Sequence, residues 1–175
     1  VILTEGEDVL FEHSPIDLLV PPAIIFAGLY PPAKSRLDLQ YENRTSKAVI
    51  IAIGHKRFNW VDLCLRSPAD LSGDMVLNDI KHACAANSAI GDYWMQRVSA
   101  LHAKDTRAPV YICGDICQSE FDDWCQRHKV SIEVLSSLYQ VVRVTRPGEP
   151  PMVVAMNRPH PSAHLMAGGK SEARH

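Results

Sequence analysis

Met152-Val153-Val154-Ala155-Met156-Asn157-Arg158-Pro159-His160-Pro161-Ser162 is the stretch on which the reading of this chain turns. Its first five residues, Met152 to Met156, are apolar and of strand length. A polar, proline-bearing segment follows at once, with His160 held between Pro159 and Pro161. Proline fixes its own φ and restricts the residue before it, so the imidazole is carried on a stiff backbone. In an open α/β sheet, sites lie beyond the carboxyl ends of the strands. The stretch therefore predicts a buried strand that delivers a positioned histidine to a functional edge.

Working outward, Tyr139 to Val144 reads as the preceding strand, joined to Met152 through the turn residues Pro147-Gly148-Glu149-Pro150-Pro151. Gln118 to His128 reads as a helix, with Phe121, Trp124 and Cys125 at three-to-four spacing. Val110-Tyr111-Ile112-Cys113 is a strand ending in Gly114, and Asp79 to about Ala103 is helical in pattern without an internal proline. Near the start, Pro21-Pro22 precedes the apolar run Ala23-Ile24-Ile25-Phe26-Ala27, closed by Gly28. Lys47 to Gly54 is a second run rich in β-branched residues. With Leu37-Asp38-Leu39-Gln40-Tyr41 before it and Asn43-Arg44-Thr45-Ser46 between, it reads as a hairpin.

The expected architecture is α/β: an open central sheet with crossover helices and an irregular β-rich N-terminal part. At 175 residues the chain suits one domain. We place it over residues 1–167, with residues 1–67 a candidate β-rich addition and 168–175 a polar tail.

The formal net charge is -2, against the basic face usual in nucleic-acid binders. Any DNA contact must come from a local patch. The five cysteines are odd in number and irregularly spaced, which argues against a disulfide framework and for an intracellular, reducing compartment. No apolar run reaches the ~18 residues that a membrane span needs, so no membrane partner is expected. Cys113, Cys117, Cys125 and His128 lack the paired short spacings of a zinc site, and neither a metal nor an organic cofactor is expected. Phosphate loops of the Walker type, Gly-x-Ser-x-Gly elbows and His-Glu-x-x-His helices do not occur.

His160-Pro161-Ser162 after the last strand resembles the second signature of the uracil-DNA glycosylase superfamily. Further pieces occur in collinear order over about residues 70–165. Asp70-Leu71-Ser72-Gly73 precedes Val76-Leu77-Asn78, which resembles the strand whose terminal Asn reads the uracil edge. Ala86-Asn87-Ser88 with Trp94 resembles the next helix start, and Tyr111 to Gly114 falls at the third core strand. Gly28-Leu29-Tyr30-Pro31-Pro32 fits the Gly-x-x-Pro outline of the first signature, with Tyr30 where most active members carry Asp or Asn. Gly54-His55 is the runner-up for that position.

That resemblance implies hydrolysis of the N-glycosidic bond of a uracil or modified base flipped out of DNA. His160 would stabilise the leaving base anion and Asn78 would read the base. Phe58 would stack on it, beside Gly28, Tyr30 and Pro31. Ser162 would hold a phosphate and Leu165 would enter the duplex as an apolar wedge. The acid that aligns water has no clear owner; Asp38 and Asp79 are candidates if loops bring them close.

Plainer readings stand beside these. His160 suits a proline-flanked turn, Asn78 a helix cap, Phe58 and Trp60 the core, and Leu165 an ordinary tail position. Two other functions follow. One is a catalytically inactive glycosylase-fold subunit that binds protein partners in a larger assembly, suggested by Tyr30 and the acidic charge. The other is a β-sandwich interaction module over residues 1–67, since Leu37 to Thr45 loosely resembles immunoglobulin-like domains of the major-sperm-protein kind.

Overall fold

A computed structural model of the protein describes residues 21–29, 44–64 and 77–159. In chain order the elements are β1 (Ile24–Gly28), α1 (Arg44–Ile53), β2 (Phe58–Asp62), α2 (Leu77–Ala86) and α3 (Ala89–His102). Then come β3 (Val110–Cys113), α4 (Asp115–Arg127), β4 (Ser131–Ser136), β5 (Val141–Thr145) and β6 (Met152–Arg158). The six strands form one mixed sheet in the order β2-β1-β3-β6-β5-β4. β2, β1, β3 and β6 run parallel, while β5 and β4 add an antiparallel edge. The α/β class and the strands at Ile24, Val110 and Met152 agree with the sequence.

Alternation along the strands explains the layers. Ile25, Ala27, Val61, Val110, Ile112 and Val154 face one side and join the main core. There α3 packs on β1 and β2, and α4 packs on β3 and β6. Phe26, Phe58 and Cys113 face the other side and form a smaller cluster with Val49 of α1. The parallel strands are therefore apolar on both faces, as a sheet covered by helices on both sides requires.

Residues 44–53 form a helix, not the second arm of a hairpin. The β-branched run hides a helical period: Ser46 and Val49 are buried, Ile50 and Ile53 half-buried, and Ile51 is 84% exposed. Gly54, at φ 78°, closes the helix, its N–H donating to the Ile50 carbonyl at 2.8 Å. Glycine meets the left-handed conformation of a helix C-terminus without a Cβ clash. That glycine reads as a helix stop, so Gly54-His55 does not end a strand. Residues 37–43 lie outside the described residues. β1 pairs with both β2 and β3, so strands 24–28 and 58–62 belong to the common sheet and are not part of a separate sandwich.

Three further boundaries differ from expectation. The helical stretch over 79–103 is two helices, broken where the Asn87 side chain accepts from the Ala89 N–H at 3.1 Å. Leu77 and Asn78 open α2, so Asn78 does not terminate a strand. Finally, β5 begins at Val141 and pairs with a strand over Ser131–Ser136 that the sequence reading lacks. Among the described residues no helix is long and apolar enough to cross a membrane.

Candidate functional site at the carboxyl edge of the sheet

Four parallel strands end together at one edge of the sheet. Gly28 ends β1, Asp62 ends β2, Cys113 ends β3, and Arg158 ends β6. The edge is tied laterally beyond the strands. Leu63 N–H donates to the Gly28 carbonyl at 2.9 Å, and Gly114 N–H to the Arg158 carbonyl at 3.0 Å. The strand order also reverses here, because β2 lies on one side of β1 and β3 on the other. In doubly wound sheets that reversal opens a crevice at the carboxyl edge.

Asp62 pairs with Gly28 across the β1–β2 ladder, so their side-chain positions share a face. A Cβ on Gly28 would lie 2.8 Å from Asp62 Oδ1 and 3.7 Å from Trp60 Cε3. Glycine at this position therefore makes the room that the Asp62 carboxyl fills. Trp60 stands two residues earlier on the same face, half-buried and stacked on Phe26 with centroids 4.6 Å apart. A carboxyl and an indole ring thus meet over a glycine floor.

The opposite face holds the end of β2 through α3. Trp94 Nε1 donates to the Val61 carbonyl at 2.9 Å, and Arg97 Nη2 donates to the Asp62 carbonyl at 2.5 Å. Arg97 lies over the Tyr93 ring at 4.9 Å and is 8% exposed. Its Nε and Nη1 are buried without a hydrogen-bond partner. Burial lowers the Arg97 pKa to about 10, against the opposing pull of Tyr93 and Asp62.

Asp62 is the unusual acid of this edge. Burial pushes its carboxyl up to about 7, and the Arg97 charge offsets only part of that shift. A carboxyl that changes its protonation near neutrality suits proton transfer. When protonated it presents one donor and one acceptor, the same face as an amide. The neighbouring thiols are the reverse. Burial raises Cys113 to about 12 and pushes Cys64 and Cys117 up as well, so the nucleophilic thiolate is suppressed. Among the described residues no group of three His, Cys, Asp or Glu side chains could hold a metal ion.

The sequence-predicted residues fall into three groups. Gly28 is at the edge, and Arg158 and Pro159 bring the chain there just before His160. Tyr30, Pro31, His160, Ser162 and Leu165 lie outside the described residues, as does Asp38. Phe58 is at the wrong end: it pairs with Ile24 at the start of β1, four residues, or about 13 Å, from the Gly28 edge. It is 1% exposed and packs edge-to-face on Phe26, so it is a core ring. Asn78 and Asp79 lie in the first turn of α2.

The sequence reading missed Asp62 and Arg97, and it set Trp60 with Phe58 in the core. Asp62 was findable as the one acid closing the alternating stretch Phe58-Asn59-Trp60-Val61-Asp62. Arg97 carried no signal, because one basic residue within a helix is ordinarily solvated. Comparison with known proteins returns no match: no protein-family model, no curated protein and no solved structure aligns with the chain.

Proposed function

We propose that this protein is a DNA base glycosylase that hydrolyses the N-glycosidic bond of a uracil or modified base flipped out of the helix. The observation that carries the reading is the juxtaposition of Asp62 and Trp60 over Gly28, at the edge where β6 leads into the His160 segment. A flipped base needs a stacking ring and hydrogen bonds to its polar edge. Trp60 takes the stacking role in place of Phe58. Asp62 takes the edge-reading role in place of Asn78, since it ends the strand beside β1. Its protonated carboxyl can accept from an imide N–H and donate to the adjacent carbonyl of a uracil-like ring.

His160 then serves the leaving group. Bond cleavage leaves an anionic base and an oxocarbenium-like sugar, and a positioned imidazole stabilises the anion at its oxygen. Water completes the hydrolysis at the sugar carbon. Ser162 and Leu165 contact the duplex, one at a phosphate and one as an apolar wedge.

The test is release of free base from a uracil-containing oligonucleotide by wild type, His160→Ala and Trp60→Ala. The expected result is cleavage that falls by a factor of about 10² or more in His160→Ala. Trp60→Ala is expected to bind the oligonucleotide more weakly by a factor of about 5–100. No release of uracil or other modified bases by wild type, on single or double strands, overturns catalysis. Tyr30 and the net charge of -2 favour a second reading in that event: a catalytically inactive glycosylase-fold subunit that binds protein partners.

A further inference from the structure

β4 is the outer strand of the sheet and is exposed along its first five residues. Its partner β5 is not. Ile132 pairs with Val144 and Val134 with Val142, so these four side chains share a face. Val142 and Val144 are buried in the main core, while Ile132 and Val134 are 55% and 64% exposed. The apolar face of the sheet therefore runs one strand beyond its helical cover. The outward backbone of β4 also lies at the end of the sheet order, with no further strand among the described residues.

Natural edge strands are usually blunted by lysine, proline or an unpaired charge. Residues 131–136 contain no lysine or proline. Their one charge, Glu133, is matched by Arg143 Nη1 at 2.6 Å from its Oε2. One face of the edge, at Ile132 and Val134, is thus apolar, and the one charge on the other face is paired within the hairpin, so a strand carrying the same residues meets no repulsion there.

We propose that β4 pairs antiparallel with β4 of a second copy of this chain, about a two-fold axis at Ile132. The register follows from the side chains. With Ile132 opposite its twin, Val130 faces Val134 of the copy and Ser131 faces Glu133 of the copy. The stripe Val130-Ile132-Val134 is then self-complementary, and the two Glu133 carboxylates stay apart. The ladder irregularity between Val134 and Ser136 falls outside this central run, so the regular part of β4 is the part used. Pairing satisfies the edge backbone and sets Ile132 and Val134 beside apolar side chains of the copy. A two-fold contact is isologous and closes at two copies.

The experiment is light scattering coupled to size exclusion over a concentration series of the full chain. Wild type is expected at twice the chain mass. Ile132→Lys is expected at the chain mass, because charges at a paired edge oppose their twins. Leu138→Lys, at an 80% exposed position in the adjoining turn, is expected to remain a dimer. Circular dichroism melts of both variants verify that each is folded. A wild-type chain that is monomeric at every concentration overturns the proposal. So does an Ile132→Lys variant that stays dimeric, or a wild-type assembly larger than two copies. A monomeric wild type that captures an extended peptide instead also overturns it.

Discussion

The two wings of the sheet use similar strand residues in opposite surroundings. In the parallel wing, β1 and β2 are buried or half-buried at every position on both faces. In the antiparallel wing, β5 alternates buried and half-buried while β4 is exposed at five of six positions. The difference lies in the connections. Parallel strands require crossovers, and the crossover helices cover the sheet faces. The β4–β5 link is a short turn over residues 137–140, which brings no cover with it. A hairpin is thus a cheap way to widen a sheet and a poor way to bury it.

Mutations can break or sharpen that contrast. The largest effect belongs to Trp94→Ala on α3. Trp94 is fully buried and donates to the Val61 carbonyl, so its loss leaves a cavity and an unpaired strand end. Urea unfolding should show a loss of about 3–5 kcal/mol. A loss no greater than that of a β4 substitution would mean that the parallel wing is not the stable half.

Asp62→Asn comes next, and its effect depends on pH. The folded carboxyl is raised from 3.8 to about 7, so the native state holds its proton more tightly than the unfolded chain. The stabilisation this gives is full below the unfolded value and is lost as pH rises through the folded one. Wild type should therefore lose stability relative to Asp62→Asn between about pH 4 and 7, by up to ~1.4 kcal/mol per unit. Above that window the difference should be constant. Melts of both proteins across this range decide it; a gap that does not change with pH means that Asp62 is ionised throughout.

The smallest effect is expected at Ile132→Thr. The side chain is more than half exposed, so the stability of the single folded chain should change by no more than about 0.5 kcal/mol. A loss of several kcal/mol would show that β4 is covered in solution, which is also what pairing with a second copy would produce at high concentration. Unfolding at two protein concentrations separates the two, because only association makes the midpoint depend on concentration.

Much of the fold was legible. Ala23 to Gly28, Val110 to Gly114 and Met152 to Met156 are apolar runs bounded by glycine or proline, and each is a strand of the parallel wing. What misled was β-branching. Lys47 to Ile53 is rich in valine and isoleucine, yet tertiary packing of Val49, with Ile50 and Ile53 beside it, against the sheet selects a helix. Propensity is weaker than burial in such a run. The site was less legible than the fold. Gly28 was visible from its turn chemistry. Asp62 and Trp60 become a site only through the β1–β2 register, which places residues more than thirty positions apart side by side.

The five cysteines, all free and all buried, give the protein a built-in reporter. Burial raises the pKa of Cys64, Cys113, Cys117 and Cys125, so in the closed fold few of these sulfurs carry the charge that reacts. They are spread over the segment after β2, over α2, over β3 and over α4. A thiol reagent therefore reads how often each part of the two cores opens, with Cys113 reporting on the smaller one and the other four on the main one. The rates would map where the molecule breathes without any reporter residue being introduced into it.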